Sequence, residues 1–197
     1  MDHETPTLVA GRLLAAYESR EPLEPLTSTY EGMTLEDSYA TQLLQIEQRL
    51  AAGRTVQGHK VGLTSAAMQR LLGVTDPDYG HLLDDFFHLE HMPIPVGTFL
   101  QPRVEPEIAF VLKKPLKGPG VTAHEALRAI DFVLPALEIV DSRIAEWNIR
   151  FVDTVADNAS SSAFVLGNTP IKLDGLDLRL AGMVMERAGE QVSLGAG

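Results

Sequence analysis

No cysteine occurs in the 197 residues, which excludes disulfides, thiolate nucleophiles and Cys-ligated zinc. Positive charge is scarce too: 16 Lys and Arg stand against 27 Asp and Glu, for a formal net charge of −11. Such a chain lacks the basic footprint that phosphate backbones and anionic membrane surfaces attract, so neither nucleic acid nor a membrane is expected as partner. No apolar run approaches the roughly 20 residues of a membrane-spanning helix. The opening "MDHETPTLVAG" is acidic, unlike a signal peptide. A soluble, cytoplasmic protein is the expectation. The six histidines, His3, His59, His81, His88, His91 and His124, form no HxH or HxxxH pair, which disfavours a histidine metal site. GxGxxG, Walker and GxSxG patterns are missing as well, leaving nucleotide cofactors and serine hydrolase chemistry without support.

What is present reads as α+β. Hydrophobic residues make up 45% and charged ones 22%, ordinary for a chain with a real core. Residues 1–55 read as an N-terminal helical segment and 56–197 as a β-rich body. "TPTLVAGRLLAAYESR" offers Thr5 as N-cap and Pro6 at the first helical position. "TLEDSYATQLLQIEQRLAAG" places Thr34 and Asp37 at capping spacing, repeats Tyr39, Leu43, Ile46 and Leu50 along one helical face, and stops at Gly53. The Pro-rich "EPLEPLTSTYEG" between them reads as a linker. "TVQGHKVGL" predicts a strand and "SAAMQRLLG" a short helix, and "VTDPDYGHLLDDFF" is loop-like at its Pro-Asp-Tyr-Gly. Strands are then expected in "IPVGTFLQ", "VEPEIAFVL", "FVLPALEIVDS", "SSAFVLGN" and "LDLRLAGMVMER". The last forms a hairpin with "QVSLG" through "RAGEQ". The helix "THEALRAI" interrupts the run, with Thr122 and Glu125 as its capping box.

Carboxylates carry the chemistry. On a strand Glu105 and Glu107 share a face that turns apolar within two residues; such a pair alone is ordinarily a solvated strand end. Glu138 is different, being the one charged residue in "FVLPALEIV", a run suited to a strand buried on both faces. A buried carboxylate costs several kcal/mol unless it is protonated, paired with a cation or bound to a metal. Placed beside Glu105 and Glu107, it would complete an all-oxygen site suited to Mg²⁺ or Mn²⁺ rather than zinc. Lys60, glycine-flanked in "QGHKVGL", is either a snorkelling surface lysine or a group that binds an anion or moves protons. Asp78 in "DPDYGHL" is a turn former or a ligand-facing carboxylate.

Four stretches taken together resemble one family: "GHKVGLTSAAMQRLLGVTDPDYGHLLDD", "LQPRVEPEIAFVL", "VLPALEIVDSRIAEWNIRFVDTVADNASS" and "GLDLRLAGMVMERAGEQVSLGAG". They are similar to the 2-oxopent-4-enoate (2-hydroxypenta-2,4-dienoate) hydratases of aromatic meta-cleavage pathways. That family also holds 4-oxalocrotonate decarboxylases and 2-oxohept-4-ene-1,7-dioate hydratases within the wider fumarylacetoacetase-like fold. The resemblance implies that Glu105, Glu107 and Glu138 hold Mg²⁺ or Mn²⁺, that Lys60 and Asp78 face the substrate, and that Ser160 or Ser161 lines the pocket. It implies a mostly β fumarylacetoacetase-like body after N-terminal helices, and a homo-oligomer able to associate with a pathway decarboxylase. Family members continue past the position of Gly197, so a C-terminally truncated version of that body is expected. The implied reaction is hydration of 2-hydroxypenta-2,4-dienoate to 4-hydroxy-2-oxopentanoate. Decarboxylation at the same site, hydration of the seven-carbon diacid and a non-catalytic role in assembly are the alternatives. A diacid would need a further cation, for which Arg103, Arg143 and Arg150, near Trp147, are the candidates.

Overall fold

The computed structural model describes residues 5–196; the acidic start with His3, and Gly197, lie outside them. Helices come first, as expected: α1 (Thr5–Ser19), α2 (Leu26–Thr29) and α3 (Leu35–Ala51). There follow β1 (Val56–Gly62), α4 (Ala66–Leu72), β2 (Asp78–Leu83), β3 (Phe87–His88), β4 (Arg103–Leu112), α5 (Ala123–Ala129) and β5 (Ile130–Val140). Then come α6 (Phe151–Ala156), β6 (Ser161–Leu166), β7 (Gly182–Arg187) and β8 (Glu190–Ala196). Strands β1 and β2 form a two-stranded sheet, β3-β6-β5-β4 a four-stranded one, and β7-β8 a hairpin. Pro106, which has no N–H to donate, sits in β4, at the edge of its sheet.

Local chemistry accounts for most element ends. Thr34 and Asp37 exchange side chain-to-backbone hydrogen bonds of 3.2 and 2.9 Å at the start of α3, and Thr122 and Glu125 do the same for α5. The β7-β8 hairpin turns at Ala188 (φ 54°) and Gly189 (φ 81°), two left-handed residues that match the twist of the flanking strands.

Four expectations need correction. Residues 78–83 are a strand rather than loop, because Asp78 to Leu83 pair antiparallel with β1. "IPVGTFLQ" is not a strand; it carries only a 3₁₀ turn at Val96–Thr98. A helix, α6, occupies Phe151–Ala156 where none was expected. Finally, α3 turns a polar face inward: Ser38, Thr41, Gln42, Gln45 and Ile46 are buried, whereas Leu43 and Leu50 are each 44% exposed. The reason lies in α6, whose terminal carbonyls have no partner within so short a helix. Gln42 Nε2 donates to Val155 O (2.9 Å) and Gln45 Nε2 to Ala156 O (2.7 Å).

The chain divides into two compact units. One comprises Met1–His88, Met92–Val104 and Ile139–Phe164. Its core holds Val9, Leu13, Leu26, Met33, Ile144 and Ala156, the larger of which contribute roughly 1.5–3 kcal/mol each when fully buried. The expected linker takes part: Leu26 is buried in α2, and Leu23 bridges to Ile144. The other unit comprises Leu89–His91, Glu105–Glu138 and Val165–Gly197. Within it Lys113 N donates to Ala129 O (2.8 Å), Val133 pairs with Ile171, and Lys172 meets Asp131 at 2.5 Å.

At the centre of the first unit lies an ion pair with no solvent exposure. Arg143 Nε donates to Asp157 Oδ1 (2.5 Å), Nη2 to Asp157 O (2.8 Å), and the Arg143 backbone N–H to Oδ2 (2.9 Å). The guanidinium lies 4.1 Å from the centre of the Tyr17 ring. Burial pushes the Asp157 carboxyl up to about 6, against the pull of Arg143. Burial alone would lower Arg143, but Asp157 and Tyr17 outweigh it and hold the guanidinium above its ordinary value. The pair is therefore ionised at neutral pH.

Its two ends should fail differently. Asp157→Asn leaves a guanidinium that cannot shed its proton and should cost about 3–5 kcal/mol. Arg143→Met leaves a carboxyl that can neutralise itself by binding a proton. Its folded pKa then lies further above the unfolded value, so stability is retained at low pH and lost as pH rises through the folded pKa. Denaturant melts at pH 5 and pH 8 should show Arg143→Met losing more stability than the wild type on going to pH 8. An Arg143→Met variant no more pH-sensitive than the wild type would contradict this account.

Candidate active site and metal centre

Strands β1 and β2 pair with Lys60 opposite Gly80 and Gly62 opposite Asp78. Directly opposed residues share a face, so Lys60, Gly62, Asp78 and Gly80 line one side, and His59, Val61, Tyr79 and His81 the other. On the second side Tyr79 stacks on Tyr39 of α3 with centroids 4.8 Å apart. His81 Nδ1 lies 3.0 Å from Gln42 Oε1. Both Gln42 amide hydrogens are already donated, to Tyr79 O and Val155 O. Its oxygen can only accept, which assigns the His81 proton to Nδ1. Burial lowers His59 and His81, and His59 lowers His81 further, so both rings favour the neutral form.

The first side carries the expected proton carriers. Asp78 is 3% exposed, and its Oδ1 has no hydrogen-bond partner. Burial raises the Asp78 carboxyl against the opposing pull of Lys60 and of the Gly62 and Asp78 backbone N–H groups. A Cβ on Gly62 would collide with Asp78 Oδ1 and lie 3.5 Å from Lys60 Nζ, so the two charged side chains converge on that glycine. Lys60 Nζ donates to Ala159 O (3.1 Å). A Cβ on Gly80 would strike the carbonyl oxygen of Asn158. The bare glycine is what lets this segment approach the strand.

The segment it admits is unusual. Asn158, Ala159 and Ser160 have φ of 53°, 51° and 55°, a full left-handed run without glycine, at about 1–2 kcal/mol per residue. Such strain persists where surroundings over-determine it. Here Ser160 N donates to Asp157 O (2.9 Å) and Asp141 N to Ser160 O (2.8 Å). Asn158 Oδ1 accepts from His81 N (2.8 Å) while Nδ2 donates to His81 O (2.9 Å). Ser160 is 3% exposed, with Oγ unpartnered. Ser161 is fully buried, and its carbonyl accepts from Tyr17 (3.3 Å).

The three glutamates form a second cluster, on adjacent strands β4 and β5. One carboxylate oxygen from each of Glu105, Glu107 and Glu138 lies within 4.8 Å of the others. Glu138 is 5% exposed, as its sequence context implied, while Glu105 and Glu107 are exposed. Metal–oxygen bonds of about 2.0–2.6 Å require ligand oxygens spaced by roughly 3–5 Å. The donor set is hard and anionic, and it fits a divalent cation.

The expected residues thus fall into two sets: the glutamates, and Lys60 with Asp78 and the segment carrying Ser160. Sequence reasoning passed over Asn158, Gly62, Gly80, Gln42 and Tyr17. Asn tolerates left-handed backbone, and that is the one available signal; nothing in the sequence marks Gly62 and Gly80 as points of close approach. Arg143, weighed as a substrate cation, is committed to Asp157. Arg103 lies 4.2 Å from the Trp147 ring centre, and Trp147 Nε1 donates to Gln101 O (2.9 Å).

No family model matches the chain. It is similar to the 2-keto-4-pentenoate hydratase of Paraburkholderia xenovorans (strain LB400), 51% identical over 188 residues, covering 95% of this chain and 70% of the relative. It is likewise similar to a 2-hydroxypent-2,4-dienoate hydratase of Pseudomonas putida, 44% identical, covering 100% and 89%. Among solved structures, 4-oxalocrotonate decarboxylase from Pseudomonas putida G7, complexed with magnesium and adipate, superposes with a TM-score of 0.94. The identity there is 35%, covering all of this chain and 74% of the other. The fumarylacetoacetase-like α+β fold is that of this neighbour.

Metal binding is measurable without turnover. Calorimetric titration with Mg²⁺ should show binding, and Mg²⁺ should raise the melting temperature. Glu138→Gln should weaken that binding by more than the roughly tenfold that losing even an outer-shell partner brings. Its metal-free melting temperature should be unchanged or higher, because one of three crowded carboxylates is gone. Unchanged Mg²⁺ affinity would remove Glu138 from the ligand set.

Proposed function

The chain belongs to the 2-keto-4-pentenoate hydratase family, and from that premise we propose that it hydrates 2-hydroxypenta-2,4-dienoate to 4-hydroxy-2-oxopentanoate in aromatic catabolism. The observation that carries the reading is the convergence of Glu105, Glu107 and Glu138 in a chain with such relatives. Mg²⁺ or Mn²⁺ is the proposed ion: when bound, it would supply Lewis acidity and a template for the 2-oxo acid head of the substrate. Lys60 and Asp78 are the proposed proton carriers. The reaction takes the proton from the C2 hydroxyl and delivers one to C5, giving the 2-oxo-3-enoate; water then adds across C3 and C4, its hydroxyl going to C4 and a proton to C3. A buried aspartate raised toward its protonated form and an ammonium anchored on a backbone carbonyl suit such transfers. The unpartnered Ser160 Oγ is the proposed polar contact to substrate, with Ser161 beside it in the chain. A cytoplasmic homo-oligomer, able to associate with a pathway decarboxylase, completes the proposal. No described helix is long and apolar enough to cross a membrane.

One observation favours a second reading. The structural neighbour is a decarboxylase holding a diacid, and a chelated 2-oxo acid is an electron sink for loss of CO₂ as well as for addition of water. A diacid's second carboxylate would need a cation. Arg143, one of the three arginines weighed for that role, is consumed by Asp157, which supports a short uncharged tail.

Purified protein with Mg²⁺ should convert the dienoate, followed by NMR, and leave 2-oxohex-3-enedioate intact. CO₂ release from the diacid without hydration of the dienoate would move the assignment to decarboxylase, and inertness toward both would favour an assembly role. Lys60→Ala should retain Mg²⁺ binding while kcat falls by roughly 10²–10⁴. A wild-type rate would return Lys60 to the surface category.

A further inference from the structure

We propose that Asn158 is a positioning residue for the proton-transfer face of β1 and β2, acting through a two-point amide clamp on His81. The inference rests on the hydratase reading and adds to it a residue that touches none of the reacting atoms.

Asn158 is 3% exposed, and both polar atoms of its side chain bond the His81 backbone. Its oxygen accepts from the His81 backbone N–H at 2.8 Å, and its Nδ2 donates to the His81 carbonyl at 2.9 Å. That is the pattern of a neighbouring strand, supplied by a single side chain along β2, opposite the edge paired with β1. The clamp places the Asn158 backbone against Gly80, where no side chain could fit. It also starts the left-handed run, and the next carbonyl, that of Ala159, is the one that receives Lys60 Nζ at 3.1 Å.

The register then closes the circuit. His81 lies three residues from Asp78 along β2, and Gly80 faces Lys60 across the ladder. One amide therefore ties together the strand carrying Asp78, the carbonyl that orients Lys60 and the segment presenting the orphaned Ser160 Oγ. A strained turn of this kind has nearby alternatives. Without the clamp the Ala159 carbonyl would turn away, and Lys60 would lose that acceptor. Misplacement of about 1 Å can cost on the order of 100-fold in rate, while a metal site on other strands would not notice.

Asn158→Ala and Asn158→Asp test the proposal, compared with the wild type in dienoate turnover, Mg²⁺ affinity and far-UV circular dichroism. Asn158→Ala should lower kcat about 100-fold, with KM and Mg²⁺ affinity within about threefold of wild type. Asn158→Asp gives a signature that a merely structural residue would not. Its protonated carboxyl can both accept from His81 N–H and donate to His81 C=O, whereas its carboxylate would oppose a carbonyl oxygen. The Asp-to-Ala kcat ratio should therefore rise about fivefold or more as pH falls from 8 to 5.5, since burial raises the introduced carboxyl. Lys60, Asp78, His59, His81, Asp157 and Arg143, the other titratable groups around the turn, are common to both variants and cancel in that ratio. Should Asn158→Ala fail to fold, the pH dependence of Asn158→Asp against wild type gives the same answer. Wild-type kcat in Asn158→Ala, a loss confined to KM or Mg²⁺ affinity, or a flat ratio overturns the inference while leaving the hydratase reading intact. A wild-type protein inert on the dienoate removes both.

Discussion

Arg143 and Asp157 meet where neither has any exposure to solvent, and the arrangement around Lys60 and Asp78 depends on that contact. A buried ion pair is costly unless its ends are matched in charge and in hydrogen bonds, and here only Arg143 Nη1 goes without a partner among the polar side-chain atoms of the pair. Asp157 meets the condition by accepting from the Arg143 side chain and backbone together. Matching it fixes the residue that precedes the left-handed run. From there the run hands a carbonyl to Lys60, an amide to His81 and an unpartnered hydroxyl to the interior. Tyr17, whose phenol burial raises to about 12, covers the guanidinium and contacts Ser161 from the other side. The surroundings of Lys60 and Asp78 on β1 and β2 are thus set by charges far away in the sequence.

Glu138 faces the same desolvation as Asp157 and meets it differently. Its carboxylate gathers beside two more carboxylates, an arrangement that repels itself unless positive charge joins it. The contrast divides the chemistry. Asp157 is paired within its own chain and serves architecture, whereas the three glutamates form a donor set that fits a divalent cation. An acidic protein without cysteine or paired histidines has carboxylates as its natural metal donors.

Much of this was legible in the sequence, and the limits have physical causes. Glu138 stood out because a lone charge in an apolar run must have a partner, and the caps at Thr34 and Thr122 followed from local hydrogen-bond chemistry. The inward face of α3 could not be read, because Gln42 and Gln45 look like surface until the carbonyls of α6 need donors. β2 was hidden by its Pro-Asp-Tyr-Gly start, whose glycine serves a close backbone approach rather than a turn. Nothing local marks Ala159 and Ser160 as left-handed; their conformation is imposed by Asp141, Asp157 and His81 from elsewhere in the chain. Arg143 looked available for substrate because a sequence does not reveal which cations are already committed.

The claim on which the account turns is that a divalent cation occupies the three-glutamate cluster. Anomalous diffraction from crystals soaked in Mn²⁺ tests it directly. A single strong peak roughly 2–2.5 Å from an oxygen of each of Glu105, Glu107 and Glu138 is the predicted result. An ordered Mn²⁺ bound elsewhere, with those carboxylates free of it, would contradict the account.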